Sequence, residues 1–215
     1  MTVLKNWQVT PKEIFAMGSI VPVLVIKKVE DALPIAEALL AADVKVLEVT
    51  LRTPAALDAI AIIAKELPEA VIGSGTVTNR EQLQRSYDAG AKFAISPGLT
   101  KDLLQAGNEG KIALIPGISS ISELMDGADY GYDHLKFFPA EASGGVKAIQ
   151  SIGGPFPDIR FCPTGGININ NIRDYLALPN VACCGGSWLV TNEIVENKNW
   201  SAITQLANQA LAHVK

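Results

Sequence analysis

The segment His134-Leu135-Lys136-Phe137-Phe138-Pro139-Ala140 is short, aromatic-rich and typical of a core β-strand. Apolar segments of this kind recur at regular intervals, separated by stretches with helical character. The predicted strands lie at residues 21–26, 46–50, 71–77, 93–96, 113–117, 134–140, 160–164 and 181–185. Such hydrophobic runs are covered on both faces, which favours parallel strands joined by helices in βαβ units.

Helices are predicted between these strands and at both ends of the chain. Ser119 or Ser120 followed by Glu123 indicates a capping box at one helix start. The other helices are expected at 11–17, 31–42, 54–67, 79–89, 145–152, 170–177 and 201–214. Eight alternating units predict one α/β domain over residues 1–215, a closed (β/α)8 TIM barrel with an extra N-terminal helix. An open doubly wound sheet is the alternative, but no G-x-G-x-x-G follows the first strand.

The composition argues against several classes of partner and location. A net charge of -4 at pH 7 disfavours nucleic acid and anionic membrane as partners. The longest apolar run, residues 20–26, is far shorter than the roughly 20 residues that cross a bilayer. The N-terminus also lacks the apolar run of a signal peptide. Cys162, Cys183 and Cys184 lie in apolar segments, which suits a reducing compartment, so we expect a cytoplasmic protein.

Lys136 is unusual because it lies at the centre of a strand that should be buried. A lysine is almost never fully buried without a partner, since removing water from an ammonium group costs several kcal/mol. Lys136 could be the structural ion-pair partner of Glu48, or it could be a reactive amine. Alternation along a strand places Glu48, Thr50 and Arg52 on one face. With a carboxylate and a guanidinium on that face, the reactive amine is the favoured interpretation.

Polar or glycine-rich residues follow most of the predicted strands, where barrel enzymes carry their chemistry. Loops containing Gly165-Gly166 and Gly186-Ser187 follow the last two strands, where such barrels bind phosphate through backbone N–H groups. Either loop alone could be an ordinary tight turn. Arg52 could likewise end its strand with its head in water. His134 and His213 are not arranged for a catalytic metal.

Taken together, these segments resemble the bacterial 2-keto-3-deoxy-6-phosphogluconate (KDPG) and 4-hydroxy-2-oxoglutarate (KHG) aldolase family. The resemblance runs in order along nearly the whole chain. It is carried by Glu48-Val49-Thr50-Leu51-Arg52, Gly75-Thr76-Val77, Ile95-Ser96-Pro97-Gly98, Leu114-Ile115-Pro116-Gly117, Lys136-Phe137-Phe138-Pro139-Ala140-Glu141 and Pro163-Thr164-Gly165-Gly166-Ile167.

The resemblance implies a class I aldolase of the Entner–Doudoroff pathway that uses no metal or cofactor and assembles as a homotrimer. It implies that Lys136 forms the Schiff base and that Glu48 is the general acid and base. Arg52 and Thr76 would hold the pyruvate carboxylate, with Pro97 and Phe138 beside the substrate. The phosphate end would meet Thr164, Gly165, Gly166, Gly186 and Ser187.

The expected reaction cleaves KDPG to pyruvate and D-glyceraldehyde 3-phosphate, and also KHG to pyruvate and glyoxylate. Two alternatives stay open at this point. One is an aldolase for the 6-phosphogalactonate epimer, whose sequence motifs are close. The other is a phosphate-binding barrel without covalent chemistry, an isomerase or a sugar-phosphate sensor, which leaves Lys136 and Glu48 unexplained.

Overall fold

The computed structural model describes residues 6–214. Residues 1–5 and 215 lie outside the described residues. The predicted domain of residues 1–215 includes both of these ends, and the signal-peptide prediction concerned the first of them. The described strands are β1 (Ile20–Leu24), β2 (Val46–Thr50), β3 (Val71–Gly75), β4 (Phe93–Ile95), β5 (Ala113–Ile115), β6 (Gly117–Ile118), β7 (His134–Phe137), β8 (Arg160–Pro163) and β9 (Cys184–Gly186). The described helices are α1 (Pro11–Ala16), α2 (Ala32–Leu40), α3 (Ala56–Glu66), α4 (Arg80–Asp88), α5 (Lys101–Glu109), α6 (Ile121–Asp129), α7 (Gly145–Ile152), α8 (Ile172–Leu176), α9 (Asn192–Glu196) and α10 (Trp200–Val214).

The strands form two parallel sheets. The larger is a curled half-barrel of six strands in the order β5-β4-β3-β2-β1-β9, and the smaller has the order β6-β7-β8. The longest register runs along β2 and β3, from Val46 opposite Val71 to Thr50 opposite Gly75. The prediction of a parallel α/β fold is thereby confirmed.

Two predicted strands are interrupted in the structure, and both interruptions lie where the sheets meet. The segment 113–117 divides at Pro116, which has no backbone N–H to donate to a neighbouring strand. Before Pro116 the segment pairs with β4, and after it Gly117 pairs with Lys136 of β7. The Pro116 carbonyl accepts a hydrogen bond from the Lys136 N–H at 3.0 Å.

The second interruption affects the predicted strand 181–185, of which only the last part is regular. Val181 forms an isolated parallel bridge with Phe161, and Gly185 forms another with Thr164. The chain at Pro116 and these two bridges therefore join the smaller sheet to both edges of the larger one.

Several helices begin at residues that the sequence marks as caps. The Asn79 side chain accepts a hydrogen bond from the Gln82 N–H at the start of α4. Ser120 and Glu123 form the predicted capping box of α6. These side chains bind N–H groups that have no partner within the helix, so they fix where each helix begins.

Other helix predictions were incomplete. The helix predicted at 54–67 begins at Ala56 and not at Pro54. Helices α5 and α9 were missed, although the Thr100 and Thr191 hydroxyls cap them. In each case the only sequence signal was a threonine at the N-cap position. This signal is weak because threonine is also common in strands.

The buried apolar side chains form two clusters on opposite faces of the strands. The larger includes Leu47 and Val49 and packs the sheets against the outer helices. The smaller, called here the α1 cluster, contains Ile14, Phe15, Val21, Val46, Phe93, Ile95, Ala113, Ile115, Cys162 and Cys183. It joins two side chains of α1 to one face of the strands.

Helix α1 covers the end of the strands at which β7 begins, and the opposite end is left for the polar site residues. The His134 ring, at the start of β7, lies 5.4 Å from the Phe15 ring of α1. Helix α1 therefore lies at the end where β7 begins, and Lys136 points from the same face nearer the opposite end. No helix within residues 6–214 combines the length and the apolar character needed to span a lipid bilayer.

Candidate active site

Lys136 and Glu48 meet in the interior. Only 5% of Lys136 and 1% of Glu48 is exposed to solvent. The Lys136 Nζ lies 3.4 Å from Glu48 Oε1 and 5.1 Å from the centre of the Phe138 ring. A charge-assisted N–H···O bond is usually about 2.7–2.9 Å long, so this contact is loose. The geometry places a buried amine beside a carboxylate and an aromatic ring.

The face predicted for Glu48 on β2 is confirmed, and the structure gives Lys136 of β7 the same face. His134 contacts the α1 cluster, whereas Leu135 and Phe137 belong to the larger core. Lys136 therefore shares the face of His134. On β2, Leu47 and Val49 lie in the larger core, so Glu48 points the other way. Two strands that are 88 positions apart in the sequence thus bring Lys136 and Glu48 together.

The space for Glu48 exists because position 75 is glycine. Gly75 lies in β3 beside the Glu48 carboxylate, and a Cβ added there would overlap Glu48 Oε1. Gly73, two residues earlier on the same strand, similarly makes room for the Phe93 ring. A strand interior normally disfavours glycine, so these positions mark a close approach of side chains.

Arg52 and Thr76 lie side by side just beyond β2 and β3. The Arg52 Nε–H donates to Thr76 Oγ1 over 3.3 Å. Thr76 has a φ of 61°, which is an outlier for a β-branched residue. Backbone of this kind costs about 1–3 kcal/mol and concentrates at functional sites. The Val77 N–H, which donates to the Ile95 carbonyl at 3.1 Å, helps hold the conformation.

Two threonine hydroxyls fix the segment that carries Arg52. Thr50 Oγ1 donates to the Leu24 carbonyl at 2.9 Å, and Thr53 Oγ1 donates to the Ile26 carbonyl at 2.5 Å. Both acceptors lie at the end of β1, so the backbone on either side of Arg52 is tied to the neighbouring strand. The sequence analysis did not identify Thr53. It placed Thr50 on the same strand face as Glu48 and Arg52 but assigned it no function.

A cavity of about 170 Å³ opens at this end of the strands. It is lined by predicted site residues, namely Arg52, Phe138, Thr164, Gly165, Gly166, Gly186 and Ser187. Val23, Val25 and Ile167 complete the lining and were missed, because apolar strand residues look like core in a sequence. A larger cavity of about 540 Å³ adjoins it and shares Val23, Val25 and Ser187.

The other predicted residues, Lys136, Glu48, Thr76 and Pro97, are not among the residues that line this cavity. The Lys136 Nζ contacts the Phe138 ring, and Thr76 is hydrogen-bonded to Arg52, so each contacts a residue of the lining. Pro97 is half-buried and packs its backbone against Gly117, and it is not among the residues that line the cavity.

The two glycine loops have backbone shapes or contacts that exclude side chains. Gly165 and Gly166 have φ values of 100° and 82°, a region that glycine enters at no steric cost. A Cβ at Gly186 would overlap the Trp188 ring. Thr164 is buried, and its Oγ1 donates to the Cys162 carbonyl at 3.4 Å. Both loops line the cavity, and glycine-rich loops at such positions commonly bind anions through backbone N–H groups.

The cysteines behave as small apolar side chains. Burial raises the pKa of Cys183 and of Cys184, so both remain protonated thiols near neutral pH. Within residues 6–214 no three histidine, cysteine, aspartate or glutamate side chains come close enough together to hold a metal ion.

Known proteins are similar to this chain in both sequence and structure. The sequence model of the aldolase family described as KDPG and KHG aldolase matches residues 12–206. A 2-dehydro-3-deoxy-phosphogluconate aldolase from Pseudoalteromonas atlantica is 65% identical over 208 residues, which cover 97% of each chain.

Two solved structures are also similar. A KDPG aldolase from Legionella pneumophila, with pyruvate captured at low pH as a covalent carbinolamine intermediate, has a TM-score of 0.94 and 52% identity. That match covers 95% of this chain and 100% of the other. The Zymomonas mobilis ZM4 2-keto-3-deoxy-6-phosphogluconate aldolase with 3-phosphoglycerate has a TM-score of 0.88 and 46% identity, covering 94% and 95% of the two chains. The chain therefore belongs to the KDPG and KHG aldolase family.

Proposed function

We propose that this protein is a class I aldolase that cleaves KDPG to pyruvate and D-glyceraldehyde 3-phosphate. It also cleaves KHG to pyruvate and glyoxylate. The observation that carries this proposal is the buried Lys136 amine, 3.4 Å from the Glu48 carboxylate, next to a cavity lined by Arg52 and two glycine loops. The relatives with the same architecture are aldolases named for KDPG.

The chemical problem is to break a C–C bond while leaving its electrons on carbon. Lys136 Nζ attacks C2 of the keto acid to give a carbinolamine, which loses water to form a protonated imine. The C4 hydroxyl then loses its proton, the C3–C4 bond breaks, and its electron pair moves towards the iminium nitrogen to form an enamine. The aldehyde leaves, C3 of the enamine gains a proton, and hydrolysis releases pyruvate and the free amine.

Glu48 is positioned to move the protons in this sequence. Its carboxylate lies within reach of the Lys136 amine and therefore of the groups on C2, C3 and C4 of a bound keto acid, directly or through one water. It assists the loss of water from the carbinolamine, accepts the C4 hydroxyl proton and returns a proton to C3. General acid–base assistance of this kind contributes about 10²–10⁴-fold to a rate.

The carboxylate and the phosphate of the substrate bind at different parts of the site. The guanidinium of Arg52, beside Thr76, offers a planar pair of donors to the pyruvate carboxylate. The phosphate binds to the loops formed by Thr164, Gly165, Gly166, Gly186 and Ser187. Phe138 forms the apolar wall beside the imine, and the family resemblance assigns Pro97 a place beside the substrate.

We further propose that the two sheets are parts of one closed (β/α)8 barrel that spans a single domain. The support is that the smaller sheet meets the larger at Pro116 on one side and through the bridges of Phe161 and Thr164 on the other. We also propose assembly as a homotrimer, a place in the Entner–Doudoroff pathway and catalysis without metal or cofactor, and these proposals rest on the family resemblance. The proposal of a cytoplasmic location rests on the cysteines in apolar segments.

Borohydride reduction in the presence of pyruvate tests the covalent step. We expect reduction to attach pyruvate to Lys136, as located by peptide mass mapping. Lys136→Ala should lose both the adduct and turnover, while Lys147→Ala, which changes an exposed lysine of α7, should retain them. An adduct on another lysine, or none, would contradict the proposal and favour a barrel without covalent chemistry.

Kinetics on the two epimers tests the substrate. We expect a higher kcat/KM for the 6-phosphogluconate compound than for the 6-phosphogalactonate compound. The reverse order would assign the chain to the epimer while keeping the Schiff-base mechanism.

A further inference from the structure

We infer that Glu141 and Tyr175 are positioning residues that hold the Gly165-Gly166 loop in the shape that binds the substrate phosphate. This inference rests on the function proposed above. Glu141 is the last residue of the Lys136–Glu141 motif and has no role in the proposed covalent chemistry. Its side chain contacts the neighbouring loop at Gly166 and the Tyr175 hydroxyl of α8, and it also lies near Gly145 at the start of α7.

The backbone around Glu141 is bonded to the loop. The Glu141 N–H donates to the Gly165 carbonyl at 3.1 Å, and the Ala140 N–H donates to the Thr164 carbonyl at 2.8 Å. These bonds extend the pairing of β7 and β8 beyond the ends of both strands. They set the position of the loop relative to the strand that carries Lys136.

The Glu141 side chain forms the surface on which Gly166 lies. A Cβ added at Gly166 would overlap Glu141 Cγ, so the glycine backbone rests directly against the aliphatic part of the glutamate. With a φ of 82°, Gly166 depends on such contacts to stay in one conformation, because glycine has many alternatives. The orientation of the Glu141 side chain therefore sets the shape of the loop.

Tyr175 fixes that orientation. Its side chain is fully buried, with 0% exposed, and its hydroxyl donates to the Glu141 carboxylate. Burial and this hydrogen bond raise the pKa of Tyr175, so the hydroxyl remains a donor throughout the neutral range. Tyr175 belongs to α8, the helix that follows the loop, and is one of its two buried residues.

The opposite side of the loop is held independently. The side-chain amides of Asn168 and Asn171 donate to the Gly166 carbonyl at 3.2 and 3.0 Å. With its carbonyl bound there and its Cα against Glu141, Gly166 has little freedom left. The loop is thus preorganised before an anion arrives, which lowers the entropy cost of binding.

The consequence concerns one end of the substrate only. Lys136 and Glu141 are five positions apart on one segment, so Glu141 relates the phosphate loop to the imine-forming amine. Loss of the Tyr175–Glu141 bond should loosen the loop and weaken binding of the phosphate. It should leave imine formation with pyruvate unchanged, because pyruvate has no phosphate.

Tyr175→Phe removes the hydroxyl and keeps the ring, and two readouts separate its effects. We expect KM for KDPG to rise about tenfold, the effect of losing one hydrogen bond to a charged group, with kcat within about twofold. The pyruvate concentration that half-saturates borohydride trapping on Lys136 should stay within about twofold. Glu141→Gln keeps an acceptor for Tyr175 and should restore most of the KDPG affinity relative to Glu141→Met.

Tyr132→Phe is the matched control. The Tyr132 hydroxyl is also buried, and it donates to the carbonyl of Leu104 in α5 at 2.8 Å, not to the phosphate loop. It should lower the thermal midpoint without changing the ratio of the two readouts. An unchanged KM for KDPG in Tyr175→Phe, or an equal loss in both readouts, would overturn the inference. Absence of trapping in the wild-type protein would instead refute the proposed function.

Discussion

Gly75 lies so close to Glu48 that a methyl group at position 75 would occupy the space of the carboxylate oxygen facing Lys136. The glycine that ends β3 therefore determines where the carboxylate of β2 can lie. Glu48 is 1% exposed, so protein atoms surround its side chain. The position of the proton-transfer group depends on a neighbour that has no functional group of its own.

Gly75→Ala should displace Glu48 and slow turnover. We expect kcat for KDPG to fall at least tenfold, because a small misplacement of a catalytic group is costly, and the overpacked site to lose about 1–3 kcal/mol of stability. Steady-state kinetics and chemical denaturation measure the two effects. Gly18→Ala, where an added Cβ meets no atom within 4 Å, is the control and should change neither. Full activity in Gly75→Ala would show that the Glu48 position does not matter.

Arg52→Lys should raise KM and also lower kcat. A lysine keeps the charge but lacks the planar pair of donors, so the keto acid binds less firmly and C2 is misaligned with Lys136. We expect roughly a tenfold change in each constant for KDPG. Arg85→Lys, on the exposed side of α4 beside Glu81, should leave both constants unchanged. If kcat/KM for Arg52→Lys equals the wild-type value, Arg52 does not bind the carboxylate.

Ser187→Ala should weaken phosphorylated substrates selectively. Ser187 lines the cavity together with the Gly165-Gly166 loop, and its hydroxyl is available to a phosphate there. We expect KM for KDPG to rise about tenfold and KM for KHG to change less than twofold. Ser151→Ala on α7, whose hydroxyl donates to the Lys147 carbonyl, is the control. An equal loss for both substrates would remove Ser187 from the phosphate site.

Glu123→Gln should change how stability depends on pH at the start of α6. Burial raises the pKa of Glu123, but hydrogen bonds from the Ser119 and Ser120 backbone N–H groups and hydroxyls outweigh it, so the net shift is downward from 4.5. A carboxyl with a lowered folded-state pKa stabilises the protein above its unfolded pKa and loses that effect as the pH falls through the folded value.

The wild-type protein should therefore exceed Glu123→Gln in stability by about 1 kcal/mol near pH 7, the size of a helix-cap interaction. The difference should shrink below pH 4.5. Urea denaturation at several pH values measures it. A difference that stays constant down to acid pH would mean that the charge of Glu123 does not stabilise the capping box.

Local sequence pattern predicted most of the strands and most of the helices. Apolar segments at regular spacing predicted the parallel α/β arrangement, and Asn79 and Ser120 marked helix starts correctly. The division of one strand at Pro116 was not predicted, because a proline excludes one hydrogen bond but does not say which neighbour the chain will pair with next.

The site was predicted unevenly for a similar reason. Lys136, Glu48 and Arg52 were identifiable because charged residues in apolar strands need an explanation. Val23, Val25 and Ile167 were not, since an apolar residue at a cavity and one in the core have the same appearance in a sequence. The contact between Glu141 and Tyr175 joins residues 34 positions apart and has no local signal.

The amino-acid sequence by itself determined the alternation of strands and helices and which residue types could carry the chemistry, because these follow from composition and short-range periodicity. Its ordered motifs, such as Lys136–Glu141, carried the family resemblance. Only the tertiary structure decided that the Lys136 amine lies 3.4 Å from Glu48, that Gly75 makes room for this carboxylate, and that Tyr175 reaches Glu141. Those distances depend on how separate strands and helices pack, and packing is set by the simultaneous fit of many side chains, which no single segment contains.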